Sequence, residues 1–265
     1  MTSVVVIGSC LTNLPCLFLM ADYKWVRPNN AAVLRSDHFV EKFLDQQGYV
    51  PPYEEFLSLI RWKPGMETEG VRWLRECYRD TVGHLETPAS NPGLFETLAT
   101  TEVDLVLMDN LHDTHRLLLY RRPEAPGPHY SLPFSMSLCE NEQEIHEIFN
   151  YSSPLEPAES LKNWIRIIRF VQAQQPKARI MFFCAHTCTM AGQPERRQRA
   201  IEFHALLAPL ADELGITVVA PIDLPLSLTK MPADTDHFEM PVYRAMAGQI
   251  FLSYVSGKAA QETIS

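Results

Sequence analysis

The sequence predicts a three-layer α/β/α sandwich: a doubly wound, mainly parallel five-stranded sheet in the flavodoxin-like order, with helices on both faces. Three observations predict it. Short, unbroken apolar runs such as Val4-Val5-Val6-Ile7 suit strands buried on both faces. Amphipathic helix patterns alternate with those runs. Turn residues punctuate them, with Gly8 ending the first run and Gly215 preceding the last.

Val4 to Ile7 is the first strand. A weaker extended segment between Trp25 and Leu34 is the second, because Pro28-Asn29-Asn30 breaks any helix there. Asp104 to Met108, Ala178 to Cys184 and Ile216 to Pro221 supply the other three. The clearest helix runs from Pro157 to Ala173, with Leu161, Trp164, Ile165, Ile168 and Val171 at helical spacing. Another is expected from Pro194 to Leu214, with Ile201, Leu206, Leu207 and Leu210 as its apolar positions, and Gly215 has the character of its C-cap. A last helix after His237 carries Val242, Met246, Ile250 and Phe251.

Residues 46–91 fit no strand. Their Tyr53, Phe56, Leu57, Ile60, Trp62, Trp73, Leu74 and Tyr78 predict two or three helices inserted between the second and third strands. A second, proline-rich insertion spans 121–151 and opens Arg121-Arg122-Pro123. Both are expected near the carboxyl edge of the sheet, where lids and pockets are built. Residues 1–265 together read as one α/β domain carrying these two insertions.

Composition narrows the function. A formal charge of −9, from 23 basic and 32 acidic side chains, repels phosphate backbones, and no Lys/Arg run offsets it. Nucleic acid is therefore not an expected partner, although a local basic pocket for an anionic ligand is compatible with that balance. Only Met1 and Thr2 precede the first apolar run, so no signal-peptide pattern stands there, and Leu14 to Met20 is too short for a bilayer. The expectation is a cytoplasmic protein without membrane attachment. Cysteines 10, 16, 77, 139, 184 and 188 are scattered, which favours free thiols. Cys184-Ala-His-Thr-Cys188 lacks a zinc-knuckle spacing and a second Cys/His pair nearby, and reads as a strand end with ordinary thiols.

Two segments carry candidate chemistry. Gly8-Ser9-Cys10 follows the first strand directly and precedes a helix. A serine there turns its hydroxyl to the crevice, beside free N–H groups at a helix start that can stabilise an oxyanion. The structural alternative is a plain helix N-cap. Cys10 is a rival nucleophile, ranked lower because it faces away from Ser9. The second segment is Asp234-Thr235-Asp236-His237, expected in a loop before the last helix. A carboxylate three residues before a histidine can orient the imidazole as a general base; its alternative is a surface histidine with solvated acidic neighbours. Both segments open at one edge of a doubly wound sheet.

In this pairing the chain resembles the SGNH, or GDSL-like, hydrolases and their acyltransferase relatives. Ser9 matches their first-block nucleophile in its Gly-Ser-Cys variant, Asp234 and His237 match their terminal DxxH, and the Tyr243-containing helix resembles the family's usual ending. The resemblance implies a serine-dependent ester hydrolase or acyltransferase acting on a small-molecule or saccharide ester, with no metal or redox cofactor. It also implies an oxyanion hole built from Ser9 N–H, Asn110 and a second-block donor. Asn110 matches by position, without the family's Gly-x-Asn-Asp context, and also reads as a turn asparagine. No second-block glycine is present. Ser36 stands nearest its place, and equally suits the N-cap of a helix from Asp37 to Gln46.

Other polar groups have plainer readings. His112, His115 and His186 lack helical metal-ligand spacing and are expected as solvated loop histidines. Arg35, Arg116, Arg121 and Arg122 are candidates to bind an anionic substrate or a nucleotide-bearing acyl donor, and the favoured reading is a solvated positive patch. Two other functions compete with ester chemistry: a non-catalytic binding domain on the same fold, and a nucleotide-binding enzyme. Against the second, no GxGxxG or GxxxxGK[ST] is present.

Overall fold

The computed structural model describes residues 1–31, 35–45, 52–82, 93–115, 118–122, 124, 131–132, 134, 136–187, 190, 192–231 and 234–264. Its strands, in chain order, are β1 (Val4–Ile7), β2 (Asn30–Ala31), β3 (Leu105–Asp109), β4 (Leu119–Arg121), β5 (Ser131–Leu132), β6 (Phe149–Tyr151), β7 (Arg179–Phe183), β8 (Thr217–Val219), β9 (Thr229–Met231) and β10 (Asp234–Phe238). The helices are α1 (Cys10–Tyr23), α2 (Ser36–Phe39), α3 (Tyr53–Ser58), α4 (Glu67–Val82), α5 (Leu94–Thr100), α6 (Glu142–Ile148), α7 (Pro157–Gln174), α8 (Pro194–Leu207), α9 (Ala211–Leu214) and α10 (Met240–Ile264).

The main sheet has the order β2-β1-β3-β7-β8, with every neighbouring pair parallel. This is the doubly wound order that the apolar runs predict. Register follows from side-chain alternation. Val5 and Ile7, with Val106, Met108, Ile180 and Phe182, face one layer, packed against Trp164, Ile167, Ile168 and Val171 of α7 and Phe203 and Leu207 of α8. Val4 and Val6, with Leu105, Leu107, Met181 and Phe183, face the other, against Leu11 and Leu19 of α1 and Tyr243, Met246 and Ile250 of α10. Stacked Tyr23 and Phe251, with ring centroids 4.2 Å apart, join α1 to α10.

Three expectations are corrected. The helix from 194 to 214 is broken by a 3₁₀ turn, Ala208–Leu210, because Pro209 has no N–H to continue the ladder. Its inward face is carried by Ala200, Phe203 and Leu207, while Ile201 and Leu206 are exposed. Gly215 does close α9, in the left-handed conformation at φ 62°. The Asp234–His237 segment is not a loop but lies in β10, antiparallel to β9. Of the second extended segment, residues 32–34 lie outside the described ones.

Helices α3 and α4 occupy the first insertion. Their Phe56, Leu74, Cys77 and Tyr78, with Ile60 between them, share a satellite core with Leu119, Leu132 and Phe149 from the small antiparallel sheet β5-β4-β6 and with Phe134 just beyond β5. Asn141 pins the two parts, accepting from Arg61 N–H at 2.8 Å and donating to the Leu59 carbonyl at 2.8 Å. Among the described residues no helix is long and apolar enough to cross a membrane.

Candidate active site

Strand order reverses between β1 and β3, one neighbour leading to β2 and the other to β7, so the crevice of this fold opens at their carboxyl ends. Ser9 follows β1 and Asp109-Asn110 closes β3, so both stand at that point.

Ser9 is extended (φ −139°, ψ −166°) and caps α1, its Oγ accepting the Leu11 N–H at 3.0 Å. Its own N–H donates to Asp109 Oδ2 at 2.8 Å, and the Thr12 hydroxyl donates to the same oxygen at 2.5 Å. Leu111 N–H donates to Asp109 Oδ1 at 3.0 Å. Burial pushes the Asp109 carboxyl above its usual range, while hydrogen bonds from Thr12, from the Ser9 hydroxyl and N–H, and from Leu111 pull it back. Gly8 makes room for this carboxylate: a Cβ at residue 8 would lie 2.4 Å from Asp109 Oδ2. Ser9 itself is fully buried, so in this conformation its hydroxyl is closed to solvent.

Asn110 is buried beside it, and its Oδ1 accepts the Ala185 N–H at 2.8 Å from the chain leaving β7. That bond orients the amide, so Nδ2 is the end turned towards other partners. Ser36 stands farther along the edge, where its N–H donates to Asp113 Oδ1 at 2.9 Å and its hydroxyl to Oδ2 at 2.7 Å. The N-cap of α2 is Arg35, so Ser36 is the first helical residue and its N–H is engaged by Asp113. The helix expected from Asp37 to Gln46 is observed as α2 followed by a π turn, Val40–Leu44.

His237 is half-buried on β10, a strand packed beside α1, the helix that Ser9 caps. The next residue, Phe238, anchors the strand: its N–H donates to Tyr243 Oη at 3.1 Å and its ring lies 4.7 Å from that of His186. Asp234 pairs with Met231 and Phe238 with Thr229, so three residues of β10 lie opposite Lys230 alone. This bulge interrupts the strict alternation that would put residues three apart on opposite faces. The Asp234 side chain lies outside the described features.

Several polar groups depart from expectation. His112 and His186 are buried rather than solvated, because they follow β3 and β7 into the crevice. Arg35 is buried too, donating from Nε to Asp37 Oδ1 at 2.8 Å and from Nη1 to the Ser153 carbonyl at 2.9 Å, and so forms no solvated patch. Arg116 and the Arg121 side chain fall outside the described residues, and Arg122 is half-buried. Cys188 likewise falls outside, while burial pushes the Cys184 thiol up to about 12 and so keeps it protonated at neutral pH. Sequence reasoning missed the parts played by Asp109 and Asp113. An aspartate closing a buried apolar run opposite a glycine is the available signal for the first.

Fold and edge cluster together define a doubly wound α/β protein with a serine-capped helix at its topological switch point. No protein-family model matches the chain, and no curated protein matches it in sequence. Solved structures similar to it include a GDSL-like lipase from Bacteroides thetaiotaomicron (10% identity, TM-score 0.46, covering 97% of this chain and 89% of that one). An α/β hydrolase enzyme, LAE5, from the metagenome of Lake Arreo, Spain, is 11% identical with a TM-score of 0.48, over 96% of this chain and 94% of the other. The acetyl xylan esterase AlAXEase is 9% identical with a TM-score of 0.47, over 95% and 98%. None of these likenesses assigns a role to a residue of this chain.

Proposed function

We propose that the chain is a serine-dependent ester hydrolase or acyltransferase that acts on an O-acyl group of a small molecule or saccharide. The observation that carries this reading is the place of Ser9: at the tip of β1, capping α1, at the switch point, with Asn110 closing the neighbouring strand. In the proposed reaction Ser9 Oγ attacks the acyl carbon while its proton passes to His237, which Asp234 orients. His237 then returns the proton to the departing alkoxide, leaving an acyl-serine. Water or an acceptor alcohol, deprotonated by His237, then attacks the acyl carbon and expels Ser9 Oγ, which takes the proton back from His237; the choice of acceptor separates hydrolase from transferase. Asn110 Nδ2 is the oxyanion donor on this reading. Ser9 N–H can serve only once it turns from Asp109, and Ser36 N–H only if it leaves Asp113. The charge balance favours a substrate other than nucleic acid, and scattered thiols suit a cytoplasmic setting.

The burial of Ser9 favours a second reading, a non-catalytic ligand-binding domain on the same fold. Turnover of p-nitrophenyl acetate by wild type and Ser9→Ala, both checked for folding by circular dichroism, separates the two. The ester reading expects turnover that Ser9→Ala reduces at least about a thousandfold, together with a fluorophosphonate adduct on Ser9 seen by mass spectrometry. Equal turnover in both proteins removes Ser9 as nucleophile. Absence of both turnover and adduct leaves the binding domain as the better reading.

A further inference from the structure

A cavity of about 370 Å³ opens between the 3₁₀ turn Leu111–Thr114 and the first turn of α8, lined by Thr114, His115, Gln193, Glu195, Arg196 and Arg199 among others. Two of these are arginines three residues apart, hence on one helix face. Arg196 is buried, and its guanidinium is held in place by contacts that include three from the cavity wall: Nε donates to Thr114 Oγ1 at 3.2 Å, Nη1 to Gln193 Oε1 at 3.3 Å, and Nη2 lies 2.9 Å from His115 Nδ1. Arg199 is held less firmly. Among the described residues its buried Nε has no hydrogen-bond partner, and its Nη2 lies 3.9 Å from the carboxylate of exposed Glu195. The helix itself opens with Pro194, and its N-cap Gln193 makes no side-chain capping bond. The partial positive charge of that end therefore adds to the two guanidinium charges.

We infer that this cavity binds an anionic group, phosphoryl or carboxylate, with Arg199 as the side chain that engages it and Arg196 as the positioned charge behind it. A buried donor without a partner costs free energy that an anionic acceptor would recover, and a guanidinium fork suits the planar or tetrahedral oxygens of such groups. In a chain of net charge −9 a local pair of arginines in a concavity also concentrates anions where the surface at large repels them. Glu195 at the rim opposes binding and must swing outward, which its exposure permits. The site stands independently of the ester reading. It also lies close to that machinery: Thr114 is four residues beyond Asn110 along a 3₁₀ turn, on the order of 8 Å.

The test is calorimetric titration of the whole chain with inorganic phosphate and, separately, with succinate. Wild type is compared with Arg199→Gln and Arg199→Lys, two substitutions that leave the contacts of Arg196 with Thr114, Gln193 and His115 intact. The expected result is saturable binding of at least one anion, weakened at least about tenfold in Arg199→Gln and less in Arg199→Lys. Saturation by phosphate alone assigns a phosphoryl ligand, and saturation by succinate alone a carboxylate. No saturable binding of either anion, or wild-type affinity in Arg199→Gln, overturns the inference.

Discussion

Ser9 and Ser36 stand at the starts of helices that follow neighbouring strands, and each gives its N–H to a buried aspartate, Asp109 at the end of β3 or Asp113 in the turn beyond it. The two clusters then diverge. Asp113 also takes the Ser36 hydroxyl, the Ser160 hydroxyl and, at 2.8 Å, the Trp164 indole N–H, so one carboxylate ties α2, the 3₁₀ turn and α7 together. Asp109 ties only α1 to its own strand end, through Ser9, Thr12 and Leu111. The same device is a three-way fastening in one place and a holder for a single serine in the other. A buried carboxylate at a strand end is therefore no mark of catalysis by itself; what distinguishes Ser9 is the switch point beneath it.

If that contrast is right, Asp113→Ala has the largest effect. It strands the donors of Ser36, Ser160 and Trp164 in the core and should lower stability by about 4 kcal/mol in urea unfolding. A loss under about 1 kcal/mol would mean that the three-way fastening is illusory. Gly8→Ala comes next, since its Cβ would meet both the carboxylate and, at 2.9 Å, the backbone N of Asp109. Overpacking of that kind should cost about 2 kcal/mol, read from the same unfolding curves, and a neutral result would mean that the Asp109 cluster is loose.

The smallest effect is a pH dependence, and its sign is definite. Burial raises the folded-state pKa of Asp109 above its unfolded value of 3.8. The stability it contributes is thus complete below the unfolded value and is lost as pH rises through the folded one. Wild type should therefore gain on Asp109→Asn as the pH is lowered from about 7 towards about 4, in paired urea midpoints. An advantage that shrinks on acidification would show that the hydrogen bonds to the carboxylate outweigh its burial.

The sheet was legible because its signal is local. Val4 to Ile7 coincides with β1, and the runs around Leu107, Met181 and Val218 each contain a strand, since a β-branched or apolar run bounded by turn residues has few other uses. The position of Ser9 was legible for the same reason. Its partner was not: Asp109 lies 100 residues away, and Ser36 lies 77 from Asp113, so neither bond leaves a trace in nearby sequence. The bulge in β10 escaped notice because its partner strand is only three residues long and polar at Thr229 and Lys230.

The satellite core has a consequence for how the chain comes into being. Phe56, Leu74 and Tyr78 complete their core only when Phe149 has been made, because Leu119, Leu132, Phe134 and Phe149 all come later in the chain. On the ribosome that is a wait on the order of ten seconds, during which two amphipathic helices are tethered to an unfinished sheet. The same dependence couples the two insertions: trimming either would leave the other with a bare apolar flank.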